Sequence, residues 1–303
     1  MKSTKNTSKS KIKMAWDDRV FSIITGALIV FLTLACLVPF LYLIAISLSG
    51  SGPVMRGEVF LIPKEFTIEV YRSIVENGTM ISAMERTILL TIVSTAVSMV
   101  CTILCAYPLS VPELRGRKVI VVFIMFTMYF SGGMIPSYLV IHRLGLIDSY
   151  LSLILPCALS TYNMIVLRSF FTSIPSSLRE SALIDGAGDV TILTKIVLPL
   201  SKPSLATIAL FYAVSRWNAL QDALLYINDP SKAVLQVRLK QMIQNADAIK
   251  ELMMEGASSA ASLMPTQSVR AGALMFSMVP ILIIYPFLQK YFVKGTMIGS
   301  VKG

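Results

Sequence analysis

From Val20 to Val54 the chain contains no Asp, Glu, Lys, Arg or His. About 20 apolar residues suffice to cross the hydrocarbon of a bilayer, so this run is too long for a single buried core helix. The pattern repeats. Stretches with few or no charges recur at about 20–48, 87–111, 119–141, 150–168, 204–227 and 271–290, and each predicts a transmembrane helix. Composition agrees: 55% of residues are hydrophobic, 15% are charged and mean hydropathy is +0.71, whereas a soluble domain carries about a quarter charged residues. The expected fold class is an all-α integral membrane protein of about six transmembrane helices.

The net charge of +10 reads as topology. Lys2, Lys5, Lys9, Lys11, Lys13 and Arg19 precede the first apolar run, the flank that stays on the cytoplasmic side. With this tail, residues 1–19, inside, the connection 112–118 is cytoplasmic and holds Arg115, Arg117 and Lys118. The segment 171–202 and the end after Tyr291, with Lys294 and Lys302, fall on the same side. Residues 20–303 then form one membrane domain with both termini cytoplasmic. The connections 49–86 and 228–270 fall outside and mix acids with bases. No basic stripe is interleaved with aromatics, which argues against nucleic acid as a partner. The first run is about twice the length of a signal-peptide core and no small-residue cleavage site follows it, so it reads as an uncleaved span.

Several chemistries lack their residues. Cys36, Cys101, Cys105 and Cys157 all fall within predicted spans without nearby His or acidic partners, so they read as small packing residues and no metal is expected. His142 is the single histidine and has no triad around it. No G-x-x-x-x-G-K-[S/T] loop occurs, so ATP is not bound here in the usual way and any energy comes from a partner. The chain reads as a non-enzyme.

The most informative stretch is 175–203. Pro175 ends the preceding element, and Ser177 with Glu180 three residues later predicts a capping box and a helix start. Gly186 and Gly188 permit a sharp turn. Asp189 is placed to cap a second short helix that runs to about Leu198, before Pro199 and Pro203 stop it. Leu178, Ala182, Ile192, Leu193 and Ile196 give both helices apolar faces, as an amphipathic hairpin on the membrane surface also would.

The order Glu180-Ser181-Ala182, Gly186 and Ile196-Val197-Leu198-Pro199 resembles the EAA signature of ABC importer permeases, with Ser181 in place of the usual Ala. Tyr285-Pro286-Phe287 through Gly299-Ser300-Val301-Lys302-Gly303 is similar to the end of the maltose-type carbohydrate class. Ser131-Gly132-Gly133-Met134-Ile135-Pro136 and Trp217-Asn218 resemble its polysaccharide and oligosaccharide branch. The resemblance implies a type I importer permease of the bacterial cytoplasmic membrane. It implies a second permease subunit, in a heterodimer, two ATPase subunits that carry ATP and Mg, and an extracytoplasmic solute-binding protein. It also implies that the loop 171–202 is a coupling helix docking on the ATPase through Glu180, Ser181, Ala182, Asp185, Gly186, Ile196, Leu198 and Pro199. Val301, Lys302 and Gly303 reach into the ATPase dimer in this reading; a short basic tail also serves as a membrane anchor.

Polar groups at membrane depth face a pathway or another helix. In the fifth span Asn218, Asp222 and Tyr226 recur at helical spacing with Trp217 and Gln221 beside them, a face suited to sugar hydroxyls and C–H faces. An Arg216–Asp222 contact in helix packing accounts for some of the same residues. Tyr162 and Asn163 of the fourth span are candidates for the same cavity. Ser131, Gly132 and Gly133 permit either close helix packing or a local break. The function expected is carbohydrate import, with a non-sugar ABC permease or a secondary transporter as alternatives; the absence of visible inverted repeats weighs against the latter.

Overall fold

The computed structural model describes residues 16–254 and 265–300. Among the described residues the backbone is helical, with one isolated bridge between Ser49 and Phe66. In chain order, α1 (Trp16–Ser47) is followed by a short α2 (Ser51–Met55), α3 (Glu69–Asn77) and a long α4 (Thr79–Ser110). Next come α5 (Arg117–Tyr129), α6 (Met134–Arg143), α7 (Leu151–Ile154) and α8 (Thr161–Thr172). A looping segment holds α9 (Ser176–Ile184), α10 (Asp189–Ile192), a π-helical turn (Leu193–Val197) and α11 (Leu198–Leu200). Beyond it lie α12 (Lys202–Trp217), α13 (Gln221–Tyr226), α14 (Leu235–Met254) and α15 (Thr266–Ser300).

Among the described residues three segments are long and apolar enough to cross a membrane: Arg19–Ser47, Thr79–Ser110 and Thr266–Pro286. Two bent pairs, α5 with α6 at 109° and Asp189–Leu200 with α12 at 84°, bring the number to five if each pair is one crossing. The unbroken spans expected at 119–141, 150–168 and 204–227 are each interrupted. At the first, Gly133 has φ +87 and an added Cβ would meet nothing within 4 Å. The glycine pair therefore makes a break, not a close helix contact. At the second, α7 stops at Ile154 and helix resumes at Thr161, with Pro156 between; proline lacks the N–H that would continue the ladder. Residues 235–254, expected in an outer connection, form α14 and pack against α4 and α15.

α4 is the organising helix, packed against α12, α8, α14 and α3. It presents a buried stripe of hydroxyls, Thr87, Ser94, Ser98 and Thr102. Small residues let helix backbones approach, and their hydroxyls find partners across the interface. Thr102 Oγ1 shares a 2.7 Å hydrogen bond with Tyr212 OH of α12, and Thr87 Oγ1 accepts the Leu235 N–H at 2.8 Å. Ala106, Leu109, Met164, Leu167, Ile192 and Ile208 form a buried cluster that joins α4, α8, α10 and α12. At the opposite end of α4, Asp148 sits at φ +58. Its carboxylate accepts the N–H groups of Asn228 at 2.5 Å and Asp229 at 2.8 Å, which ties two distant loops together.

Candidate functional site

Two places in the bundle concentrate polar or solvent-exposed chemistry, and the loop 171–202 is the first. Pro175 (φ −54, ψ 129) stands just before α9, whose residues are none of them buried. The expected capping box does not form: the helix begins at Ser176, and no side chain bonds its N-terminus. The other end closes on main-chain bonds around Gly186. The Ala187 N–H donates to the Ala182 carbonyl at 2.9 Å and the Gly186 N–H to the Leu183 carbonyl at 3.0 Å. Gly186 has φ +80, so the pair of bonds is a Schellman ending. Ala182 and Ala187 both lean on the main apolar cluster, the small contact that accompanies such an ending.

After the turn, Gly188 takes the N-cap place and Asp189 is the first helical residue. Asp189 does not cap the helix as expected. Its carboxylate instead faces Arg179, at 3.5 Å from Nη2, and accepts the Tyr107 hydroxyl at 3.2 Å. Arg179 also donates to Glu113 at 2.5 Å. One guanidinium thus fastens α9 to the loop after α4 and to the start of α10. Glu113's own backbone N–H and Arg179 hold its carboxyl below the usual glutamate range. Burial opposes the charge of Arg179, yet Glu113 and Asp189 hold its pKa above the ordinary value. Nor does Pro199 stop the second helix, which runs through the π turn to Leu200. Ile196 and Leu198 are half-buried against the main cluster and Pro199 is exposed. Glu180, Ser181, Asp185 and Gly186 are exposed. Beside them three apolar side chains project into solvent, Leu183, Ile184 at 86% exposure and Val190 at 76%.

The second place is a polar cleft of about 290 Å³ between α4, α8 and α12, lined by Ser94, Ser98, Asn163, Tyr212, Ser215 and Arg216 among others. Of the residues expected along a pathway, the structure brings Asn163 to this cleft, where it is buried. The helical-face argument for the fifth span fails, because α12 ends at Trp217 and α13 begins only at Gln221. Asn218 therefore shares no helix face with Asp222 and Tyr226, which stand four apart on α13. The Asn218 amide bonds back to the Val214 carbonyl at 2.9 Å, and Gln221 reaches Met134 Sδ at 3.6 Å. Trp217 lines an apolar cleft of about 490 Å³ with Phe211, Val214, Pro280 and Ile281. Tyr226 is buried and stacks with Tyr138, ring centroids 6.2 Å apart. Tyr162 is exposed. Asp222 pairs with Arg216 across the helix break at 2.6 Å, so the packing alternative describes that contact. Sequence reasoning missed Ser94, Ser98 and Tyr212. The signal was available in the three-to-four-residue spacing of hydroxyls along 87–102. Val301, Lys302 and Gly303 lie outside the described residues.

Long apolar helices, two bent helix pairs and an exposed, firmly braced helical loop define a multi-pass membrane protein. More narrowly, the chain belongs to the family of binding-protein-dependent transport system inner membrane components, whose model matches residues 79–298. It is 42% identical over 286 residues to the polygalacturonan/rhamnogalacturonan transport system permease protein YtcP of Bacillus subtilis, covering 94% of this chain and 99% of that one. It is 27% identical over 278 residues to the arabinooligosaccharides transport system permease protein AraQ of Halalkalibacterium halodurans, covering 90% and 94%. Among solved structures, a chain of a bacterial ABC transporter involved in the import of the acidic polysaccharide alginate superposes with a TM-score of 0.83 at 33% identity. That match covers 92% of this chain and 99% of the other.

Proposed function

We propose that the chain is one of two permease subunits of an ATP-binding-cassette importer that moves an oligosaccharide across the bacterial cytoplasmic membrane by alternating access. The observation that carries this reading is the braced α9–α10 loop. It offers Leu183, Ile184 and Val190 to a partner while Arg179 bridges Glu113 and Asp189 behind them. An element that is rigid behind and apolar in front suits the transfer of a rigid-body movement from an ATPase to the membrane helices. Two ATPase subunits would supply ATP and Mg, and an extracytoplasmic binding protein would deliver the solute. Both termini and the loop 171–202 lie on the cytoplasmic side in this reading. Counting the interrupted stretch from α7 to α8 as one crossing gives six. Carbohydrate cargo is supported by the named cargo of the relatives, polygalacturonan, arabinooligosaccharides and alginate.

The test is co-purification with the co-expressed ATPase and second permease, followed by sugar-stimulated ATP hydrolysis. Gly186→Val places a β-branched residue at φ +80, a conformation that costs an L-residue about 1–2 kcal/mol. The expected outcome is loss of the Schellman ending together with loss of ATPase retention and of stimulated hydrolysis. Full retention of both in that variant would remove the loop from the coupling path.

A further inference from the structure

Arg216 stands one residue before the end of α12, and only 4% of its side chain is exposed. One corner of the guanidinium is taken. Nη1 donates to Asp222 Oδ2 at 2.6 Å and to the Leu153 carbonyl at 2.8 Å. The other edge is not, because Nε and Nη2 are buried without a hydrogen-bond partner. That edge has a particular shape. Nε–H and one Nη2–H point the same way in a planar fork, and their spacing fits the two oxygens of a carboxylate. Charged donors left unsatisfied away from water are costly, which makes a free fork inside a membrane protein unusual.

The surroundings say what would meet the fork. Arg216 is a wall of the cleft of about 290 Å³, whose other polar lining is Ser94, Ser98, Ser160, Asn163, Tyr212 and Ser215. Hydroxyls and an amide are the groups that exchange hydrogen bonds with a sugar ring, and the volume lies near the small end of ligand sites, roughly 300 Å³. Asp222 occupies the opposite corner and so fixes the plane of the guanidinium without covering the fork. A guanidinium has five donors and accommodates carboxylates on two edges at once.

We propose that the Nε–Nη2 edge of Arg216 recognises the carboxylate of a uronic-acid sugar in the translocation cleft and selects acidic over neutral oligosaccharides. This rests on the carbohydrate-import reading above and adds the substrate class and the residue that sets it. The fork is closed off from water in the conformation described, so the carboxylate reaches it as the cleft opens during the cycle.

The experiment uses the assembled importer in proteoliposomes, with its own binding protein delivering either trigalacturonate or the corresponding methyl ester. The two probes share the sugar backbone and its linkages and differ at the carboxyl groups, which in the ester are neutral, carry a methyl and no longer present two equivalent oxygens to a guanidinium. Arg216→Lys keeps a cation for Asp222 but has no second edge. It is expected to slow ATP-driven uptake of trigalacturonate at least about tenfold, with uptake of the ester changed by less than about twofold. The double variant Arg216→Gln with Asp222→Asn leaves no buried charge unpaired and is expected to show the same selective loss. The binding protein is identical throughout, so a change in the acid-to-ester ratio belongs to this chain. Equal losses for both probes would make Arg216 a strut of the fold, and no loss for either would remove it from the pathway. A wild-type importer that moves the ester and not the acid would overturn the proposal while leaving carbohydrate import standing. Transport of neither probe by a wild-type assembly that hydrolyses ATP would overturn the proposal; uptake of a neutral arabinooligosaccharide by the same assembly would then leave carbohydrate import standing.

Discussion

Ile184 gives the most direct separation of folding from coupling. It ends α9 with 86% of its surface in solvent, although an isoleucine normally seeks the interior. Replacing it with alanine removes three carbon atoms. At about 0.8 kcal/mol for each buried methylene, discounted for the part already covered, the loss on docking is about 2 kcal/mol, or roughly thirtyfold in association. The same substitution removes almost no burial within the chain itself. Thermal unfolding of the detergent-purified permease should therefore be unchanged within about 0.5 kcal/mol. The assay is titration of the purified ATPase onto permease in nanodiscs, read beside that unfolding curve. A lowered stability with unchanged association would refute the reasoning, because Ile184 would then be packed within its own subunit. So would no change in either measurement.

Two further outcomes test the frame around the site. A Cβ added at Gly272 of α15 would overlap Val70 Cγ1 of α3, so Gly272→Ala should destabilise by about 1–3 kcal/mol, and Val70→Ala in the same chain should restore thermal stability. Asp148 has its pKa lowered below the usual aspartate value first by the Asp229 N–H and then by the Asn228 N–H. Its tie between the two loops is therefore fully present above the ordinary aspartate range and is lost as pH falls through the lowered value. Hydrogen exchange at Asn228 and Asp229, corrected for intrinsic rates, should show protection at neutral pH that disappears in acid. Asp148→Gly, which removes the accepting oxygen and tolerates the positive φ, should show the same loss at neutral pH; protection that survives in both would contradict the assignment.

Much of the braced loop was legible in the residues, because its turn depends on local chemistry. Gly186 is favoured by a left-handed φ, and the turn it makes was expected from the residues. Its fastening was not legible. Arg179, Glu113 and Asp189 are separated by up to 76 positions in sequence and meet only once α4, α9 and α10 are packed. The expected capping box failed for a local reason: Pro175 already sets the chain direction, and helix begins at Ser176 without a side-chain cap. The membrane helices were found by their lack of charge, but a hydropathy window averages over the points where a helix breaks. It therefore ran through 130–133, 155–160 and 218–220 without a signal, and the break at 218–220 is what separated Asn218 from the face of Asp222 and Tyr226. Arg216 was seen only as a packing partner. Its second edge became visible when its neighbours were in place.

The 84° corner between Asp189–Leu200 and α12 makes these two segments a bell crank. A push on the short arm would leave along the long arm as a tilt. At 1.5 Å per residue, the 16 residues of α12 make an arm of about 24 Å, so a tilt of about 10° would carry its tip roughly 4 Å. Arg216 rides at that tip. A small turn of the short arm would thus become, at the far end, a displacement longer than a hydrogen bond, enough under the proposed import mechanism to let go of a sugar.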